Sequence, residues 1–490
     1  MPSARKRIWF RRGAVAAAIV VLLAGAGIAI AWWRFFQSDP QELADERARF
    51  RHGSLGAEVL AGIPYPIVMI LPRVFPDLLE RHATEGYGPA KPGHGGYGAF
   101  GLPWQQGERV PIGLSVKRLG FERVTLTCAF CHTATYRLAD DDIPRFADGG
   151  PGHTVNLQGL LRFLFAAADD DRFTAARLMP EMALHFDFDA LDWAIYSTIL
   201  IPKTRLALRL AEGEMAWMDS KPSWGPGRDD AFNLPKYLLT RQAWDDSVGN
   251  TDFPALWRLG ERDGQLVHSG GEATSVGAVV ATSALGVGSV PAGGFADRNR
   301  KIEAYLRDLE PPHYPLPLDR DLVARGETLF QQSCADCHAD GGSRTGTAIP
   351  LEEIGTDAAH VLTWTDDDAQ RMNKVTGLLG MEDAALQGAQ GYVAKPLVGV
   401  WLLGPYLHNG SVPSLLDLLT PPSARPVDFY RGLDLFDPQR VGFVSTGAKA
   451  AAEGFRFDTT QTGNGNGGHL YGTDLSPDDR SALIEYLKTL

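Results

Sequence analysis

Two short motifs organise the chain: Cys128-Ala129-Phe130-Cys131-His132, called here the first motif, and Cys334-Ala335-Asp336-Cys337-His338, the second motif. In a Cys-x-x-Cys-His run, two thiols lie on one short helical turn, where each can form a thioether with a vinyl group of a haem. The histidine that follows is placed to become the proximal ligand of the iron. The spacing therefore predicts two covalently bound c-type haems, with His132 and His338 as iron ligands.

A four-cysteine zinc centre is the competing interpretation, because Cys-x-x-Cys pairs also bind zinc. Such a centre does not require a histidine directly after the second cysteine of each pair, and both motifs have one. The two motifs contain all four cysteines of the chain, so no thiol remains for a disulfide or for nucleophilic catalysis. We therefore expect haem attachment at both motifs.

Length and charge limit the remaining possibilities. A chain of 490 residues is expected to form about two to four domains. Residues 1–36 contain six basic side chains and no acid, so residues 37–490 carry a net charge of -18. An acidic body argues against nucleic acid as a partner. It is compatible with docking of a basic electron-donor protein.

The N-terminus has the pattern of an export signal. Residues 14–33 are an unbroken apolar run behind a basic flank, and twenty such residues form a helix long enough to cross the hydrocarbon core of a membrane. The flank places the N-terminus in the cytoplasm, so we expect residues 1–36 to anchor a periplasmic body to the bacterial inner membrane. A cleaved signal peptide is the alternative, because Ala29-Ile30-Ala31 resembles a cleavage site.

The rest of the pattern predicts a mainly α-helical protein, with two cytochrome c-like haem domains and long irregular loops. Residues 110–127 alternate as a strand or extended segment that leads into the first motif, and residues 186–212 show helical periodicity. Residues 219–300 are rich in glycine and aromatic side chains, with little regular period before about residue 274. A long loop-rich segment in a compact protein is commonly functional, so we expect it to surround the first haem.

The second half has the two ends expected of a cytochrome c domain. A helix over residues 319–331 leads directly into the second motif. A last helix begins at Ser476 as N-cap with Pro477 as its first residue, and we expect these two helices to cross. Residues 311–317 are proline-rich and are interpreted as a linker. We therefore assign residues 37–310 to the first haem domain and residues 311–490 to the second.

Further runs carry a family resemblance. Residues 398–401 and 405–413 look like the C-terminal domain of bacterial di-haem cytochrome c peroxidases. Residues 60–490 as a whole resemble the rubber-oxygenase-like branch of that superfamily. Besides the first motif, the similar runs are Ile63-Pro64-Tyr65, Leu71-Pro72-Arg73, residues 252–257, Ile354-Gly355-Thr356-Asp357, Phe429-Tyr430-Arg431-Gly432, Val441-Gly442-Phe443-Val444 and residues 463–473.

The resemblance implies a second axial ligand for the iron of the second haem. In rubber oxygenase the distal histidine of this haem lies near the C-terminus, which matches His469. From the residues alone, Met372, Met381 and His408 also remain candidates. An iron with two protein ligands transfers electrons, whereas an iron with an open site binds oxygen or peroxide.

For the first haem, the resemblance implies His132 as proximal ligand and a distal side open to a small molecule. The pocket is expected to draw on residues 225–275, with Phe253, Trp257 and His268 nearest the chemistry. The family sequence around His268 is His-Trp-Asp-Gly-Asn, whereas this chain has His-Ser-Gly-Gly-Glu over residues 268–272. A large aromatic side chain and an acid are missing there, which weakens any transfer of rubber-cleaving activity.

Two functions follow from these features. In the first, the protein is a haem-dependent oxidoreductase: the first haem binds peroxide or dioxygen, and the second is six-coordinate and serves electron transfer. Within this class, peroxide reduction and oxygenase chemistry on an apolar substrate are both open. In the second function, both irons have two protein ligands and the protein is a membrane-anchored electron carrier. The aromatic-rich segment 219–300 favours the enzyme.

Overall fold

The fold is described from a computed structural model of the chain, in which residues 4–89, 91 and 95–490 are described. The protein is 45% helical and 11% strand, so the expected mainly α-helical fold is confirmed only in part. The strands that the sequence pattern did not predict are short. They pair in antiparallel ladders of two or three strands.

The α-helices, in chain order, are α1 (Ala4–Phe36), α2 (Glu46–His52), α3 (Tyr65–Val74), α4 (Pro76–Thr84), α5 (Leu157–Asp169), α6 (Ala175–Ala183), α7 (Ala190–Ile195), α8 (Ile201–Met215), α9 (Asn233–Leu238), α10 (Val276–Gly286), α11 (Phe295–Arg307), α12 (Arg320–Ser333), α13 (Ala335–His338), α14 (Leu351–Ile354), α15 (Ala359–Leu362), α16 (Asp366–Leu378), α17 (Leu415–Leu418), α18 (Gly447–Glu453) and α19 (Pro477–Leu487).

The strands are β1 (Ile63–Pro64), β2 (Leu114–Leu119), β3 (Phe121–Leu126), β4 (Thr133–Tyr136), β5 (Arg145–Asp148), β6 (Arg228–Asp230), β7 (Asn250–Asp252), β8 (Ala348–Ile349), β9 (Tyr392–Val393), β10 (Asp428–Arg431), β11 (Phe436–Asp437), β12 (Gly442–Phe443) and β13 (Phe455–Asp458).

Helix α1 contains the apolar run and is the candidate membrane span among the described residues. The part of it over residues 14–36 is long and apolar enough to cross a bilayer, and its apolar window is not buried in the body. These properties fit a membrane anchor and equally a signal sequence. The structure therefore agrees with the predicted export segment and leaves its retention as a prediction.

Two segments of the first half differ from their predicted form. Residues 110–127 form a hairpin of β2 and β3 instead of one extended segment, because Gly120 takes a left-handed conformation with φ +70° at the turn. The helix expected over residues 186–212 is interrupted by a π-helical turn between α7 and α8. Pro202 lies in the first turn of α8, where its missing N–H leaves no donor to extend the helix backwards.

The predicted helix crossing in the second half is confirmed: α12 packs against α19. The two backbones approach closely at Gly326, where an added Cβ atom would clash with the carbonyl oxygen of Ala482. The rings of Phe330 and Tyr486 lie 5.2 Å apart. Helix α19 begins as expected, with the Ser476 hydroxyl accepting a hydrogen bond from the backbone of the first turn.

An apolar cluster joins the two halves of the chain. Tyr136 and Trp257 share it with Val400 and Trp401, and the rings of Tyr136 and Trp401 meet edge to face at 5.4 Å. The boundary at residue 310 stays a prediction, since these contacts cross it.

Candidate haem-binding site

The first motif forms the short turn that its spacing predicts. Residues 128–130 are one 3-10 turn after β3, and the backbone N–H of His132 donates to the carbonyl of Cys128 at 3.1 Å. Gly113 (φ +96°) packs directly behind this turn, where a Cβ would lie 2.4 Å from the Cα of Phe130. Both thiols and the imidazole of the motif therefore project from one fixed turn.

The second motif continues from α12. The backbone N–H of His338 donates to the carbonyl of Cys334 at 3.0 Å, so the motif is again a single helical turn, α13. Its two thiols and its imidazole follow the same order as in the first motif. The structure thus gives both motifs the local geometry that haem attachment requires.

Each motif histidine is oriented by a backbone carbonyl. The Nδ1 of His132 lies 2.8 Å from the carbonyl oxygen of Pro254, and the Nδ1 of His338 lies 2.7 Å from that of Lys395. Since a carbonyl only accepts, we assign the proton to Nδ1, which leaves the lone pair on Nε2. A hydrogen bond from the ring nitrogen that does not bind the metal is the usual way of orienting a metal-binding imidazole.

Burial keeps both imidazoles neutral. It lowers the pKa of His132 to about 4, against the opposing effect of the hydrogen bond to Pro254, and it lowers the pKa of His338 in the same way. A neutral imidazole with a free Nε2 lone pair is the form that binds iron. The two histidines therefore fit the role of proximal haem ligands.

The cysteines fit thioether attachment better than zinc binding. Burial raises the pKa of Cys128 and of Cys334 to about 11, and it raises that of Cys131 and Cys337 as well. A zinc centre would need the two Cys-x-x-Cys pairs to converge on one ion. In the part of the chain that the structure describes, no three His, Cys, Asp or Glu side chains converge as a metal site.

The ring of His469 lies next to that of His338. Their centroids lie 6.2 Å apart with an angle of 43° between the ring planes. Two metal–nitrogen bonds of about 2 Å each, plus the distance from each nitrogen to its ring centre, give about 6 Å between the centroids. Burial lowers the pKa of His469 to about 4, so this imidazole is also neutral. The separation fits one iron between the two rings.

A buried arginine holds the segment that carries His469. Arg425 is 3% exposed, and its guanidinium donates five hydrogen bonds to backbone carbonyls. The acceptors, at 2.6 to 3.2 Å, belong to Leu418, Thr420, Asn466, Gly468 and His469. Three of them lie in residues 466–469, so Arg425 ties this segment to the region around α17.

The other candidate ligands of the second haem lie elsewhere. Met372 and Met381 are buried in an apolar cluster with Trp364. His408 stacks on the ring of Tyr392 at 3.9 Å, and its Nε2 lies 2.8 Å from the Tyr392 hydroxyl. Of the four candidates, His469 is the one whose ring lies next to that of His338.

Phe253 and Trp257 flank the carbonyl that orients His132. Phe253 is buried in the apolar cluster of the first half, and Trp257 in the cluster that joins the halves, with its Nε1–H donated to the carbonyl of Asp148 at 2.8 Å. Phe253 directly precedes Pro254 in the chain, and Trp257 follows it by three residues. Their catalytic role stays a prediction.

His268 is half-buried and is paired with a buried acid. Its Nδ1 lies 3.5 Å from a carboxylate oxygen of Glu272, which is 1% exposed and has no hydrogen-bond partner on either oxygen. Burial lowers the pKa of His268 to about 4, and the charge of nearby Lys395 acts in the same direction. Burial raises the pKa of Glu272 to about 7.

Sequence reasoning missed Pro254, Lys395, Glu272 and Arg425. Pro254 and Lys395 contribute through backbone carbonyls, which have no signature in the sequence. Glu272 was visible as the acid that ends residues 268–272, but nothing in the pattern showed that it would be buried beside His268. Arg425 had no neighbouring motif to mark it.

Comparisons with known proteins agree with a cytochrome. The RoxA-like, cytochrome c-like family model matches residues 391–431, the segment that holds Lys395 and His408. Two uncharacterized proteins of Sinorhizobium fredii (strain NBRC 101917 / NGR234) are similar to the chain. The protein y4iJ is 26% identical over 474 residues, covering 75% of this chain and 77% of the relative.

The second relative, y4iM, is 31% identical over 235 residues, which cover 38% of this chain and 53% of that protein. The match to residues 391–431 lies in the half that contains the second motif. A cytochrome c-like domain implies covalently bound c-type haem. These findings support a RoxA-like cytochrome and suggest a haem-containing oxidoreductase or cytochrome.

Proposed function

We propose that the protein is a di-haem c-type cytochrome oxidoreductase, anchored by α1 to the periplasmic side of the bacterial inner membrane. The site at the first motif binds peroxide or dioxygen, and the site formed by the second motif and His469 serves electron transfer. A c-type haem supplies one-electron chemistry and, where an axial position is open, binds such oxidants. The acidic body would receive electrons from a basic donor protein.

The unequal surroundings of the two motif histidines carry this proposal. His338 lies next to a neutral imidazole at 6.2 Å, whereas in the described part of the chain no ring is paired with His132 in that way. On this basis we propose an open axial position at the first site and a protein ligand on each side of the iron at the second. Unequal coordination of this kind suits an oxidant-binding haem supplied by an electron-transfer haem.

The residues around the first motif have distinct tasks in this proposal. Pro254 fixes the ring of His132, and Phe253 and Trp257 hold that carbonyl in place. His268 is neutral at neutral pH and accepts or delivers a proton at the bound oxidant, with Glu272 as its carboxylate partner. Reduction of peroxide consumes protons, so a positioned acid–base pair is required near the oxidant.

Two alternatives have support of their own. The RoxA-like family match favours an oxygenase that acts on an apolar substrate. The pairing of His469 with His338 is also what an electron carrier needs, since an iron bound by two imidazoles has no open site. The outcome with added oxidant separates the carrier from the enzymes.

The intact mass of the purified protein tests the haem content. We expect two haems in the parent protein and one in each of the variants Cys128→Ser/Cys131→Ser and Cys334→Ser/Cys337→Ser. Peroxide and dioxygen are then added separately to the reduced proteins. The parent should be oxidised rapidly by at least one of them, and the variant without the first haem should lose this reaction. A reduced parent protein that neither oxidant oxidises rapidly would favour the electron carrier.

A further inference from the structure

The end of α1 is fixed on the body. The backbone N–H of Gly120, at the turn between β2 and β3, donates to the carbonyl of Gln37 at 2.7 Å. The rings of Phe35 and Phe121 meet edge to face at 5.4 Å. These contacts define where the anchor leaves the body, so the surface around them lies beside the end of the apolar run.

Helix α7 is the neighbour of this junction. Arg34, in the last turn of α1, forms an ion pair with Asp192 of α7, and its guanidinium lies 4.9 Å above the ring of Phe121. Tyr196, directly after α7, meets the same Phe121 ring at 5.8 Å. The ion pair neutralises both charges at the point where the anchor meets α7.

Large apolar side chains are exposed around this ion pair. Leu191 and Trp193, on either side of Asp192, are 47% and 43% exposed, and Trp32, Trp33 and Phe36 of α1 are 59% to 67% exposed. A single exposed apolar side chain needs no explanation, but a group of them marks a contact surface. The α1 members of this group end the run that would lie in the membrane.

We infer that α7 is a second membrane contact, and that Leu191 and Trp193 enter the interfacial layer of the bilayer beside the anchor. This inference rests on the proposed anchoring by α1. If residues 14–33 cross the hydrocarbon core, the surface packed against Arg34 and Phe35 lies at the bilayer boundary. Tryptophan is favoured in that layer because one end of its ring is apolar and the other donates a hydrogen bond. The contact would hold the body in one orientation on the membrane.

The test uses the full chain in phospholipid nanodiscs, with a nitroxide label on Leu191→Cys. Native cysteines are bound to haem, so labelling of the parent protein serves as a blank. Collisions of the label with oxygen, which concentrates in lipid, are compared with collisions with a water-soluble nickel chelate. Leu378→Cys is the matched control, because Leu378 is 89% exposed on α16 of the second half. We expect the ratio of oxygen to nickel collisions to be several-fold higher at position 191.

Equal ratios at positions 191 and 378 would overturn the inference. Protection of position 191 from both reagents would also overturn it, because a second copy of the chain would then cover α7. The intact mass shows separately whether residues 1–36 are retained. Loss of these residues would contradict the anchoring and the inference together. If they are retained but the label at position 191 has the collision ratio of a label in water, only the contact through α7 is contradicted.

Discussion

At the scale of single residues, His469 carries the proposed difference between the two haem sites. Its backbone is in the left-handed region (φ +46°), and its N–H donates to the carbonyl of Ile354 at 2.8 Å. A non-glycine residue in this region is held there by its surroundings. We interpret this conformation as the means by which residues 463–473 point an imidazole at His338.

Replacement of this imidazole should change the spin state of one haem. We expect His469→Ala to keep two covalent haems but to convert the second from low spin to high spin, because the iron loses a strong ligand. Added imidazole should restore the low-spin absorption spectrum. His185→Ala is the control, since His185 is an exposed histidine. A low-spin spectrum that survives His469→Ala would assign the ligand to another residue.

Arg425 should act on the same haem through His469. In Arg425→Met five carbonyls lose a buried donor, so residues 466–469 are held less firmly, and water that enters the site replaces part of the lost hydrogen bonding. We expect a mixture of low-spin and high-spin second haem, a shifted reduction potential and recovery of the low-spin fraction with imidazole. Arg456→Met is the control, because that side chain is 61% exposed. An unchanged spectrum and potential in a merely less stable protein would limit Arg425 to a structural role.

Glu272 should make stability depend on pH. Burial raises the pKa of this carboxyl from 4.5 to about 7, so between these values the folded protein retains a proton that the unfolded chain has lost. The contribution of this proton to the free energy of unfolding is therefore fully present below about pH 4.5. It falls by on the order of 3 kcal/mol as the pH rises to about 7. Lys395, whose charge opposes the shift, reduces this effect.

Denaturant unfolding at pH 5 and pH 8 measures the dependence on Glu272. The loss of stability between these values should be smaller in Glu272→Gln than in the parent protein, because the amide does not ionise. Glu310→Gln, at a side chain that is 71% exposed, should behave like the parent. An unchanged difference between the two pH values in Glu272→Gln would show that this carboxyl does not titrate in the predicted range.

At the scale of elements, the crossing of α12 and α19 depends on Gly326. We expect Gly326→Ala to lower the free energy of unfolding by about 1–3 kcal/mol, because the added methyl group meets the carbonyl of Ala482. Gly213→Ala in α8 is the matched control: nothing lies within 4 Å of the added Cβ. There, alanine should stabilise the helix by up to about 1 kcal/mol. Equal stability of the two variants would contradict the close crossing.

Elements with strong end signals could be predicted, and those set by tertiary contacts could not. The start of α19 followed from Ser476 and Pro477, whose cap and fixed φ act locally. The hairpin at Gly120 was missed because one glycine in an alternating run does not show where the chain turns. The break between α7 and α8 was missed because helical periodicity continues through the π-turn.

At the scale of the whole molecule, the sequence indicated the haem-binding groups better than their surroundings. The Cys-x-x-Cys-His spacing is a local signal and produced the predicted turns. The carbonyls that orient the histidines lie 122 residues from His132 and 57 residues from His338. Backbone atoms of such distant residues cannot be identified without the fold. His469 was suggested by resemblance, and the structure adds its distance from His338.

The central claim is that the two haems differ in coordination. Electron paramagnetic resonance of the oxidised full chain, with and without added imidazole or cyanide, tests it most directly. From the site of His338 and His469, we predict one low-spin signal that does not change when imidazole or cyanide is added. We predict a second signal, from the site of His132, that is high-spin or converts to low spin when ligand is added. Two low-spin signals that both stay unchanged when the ligand is added would contradict the account.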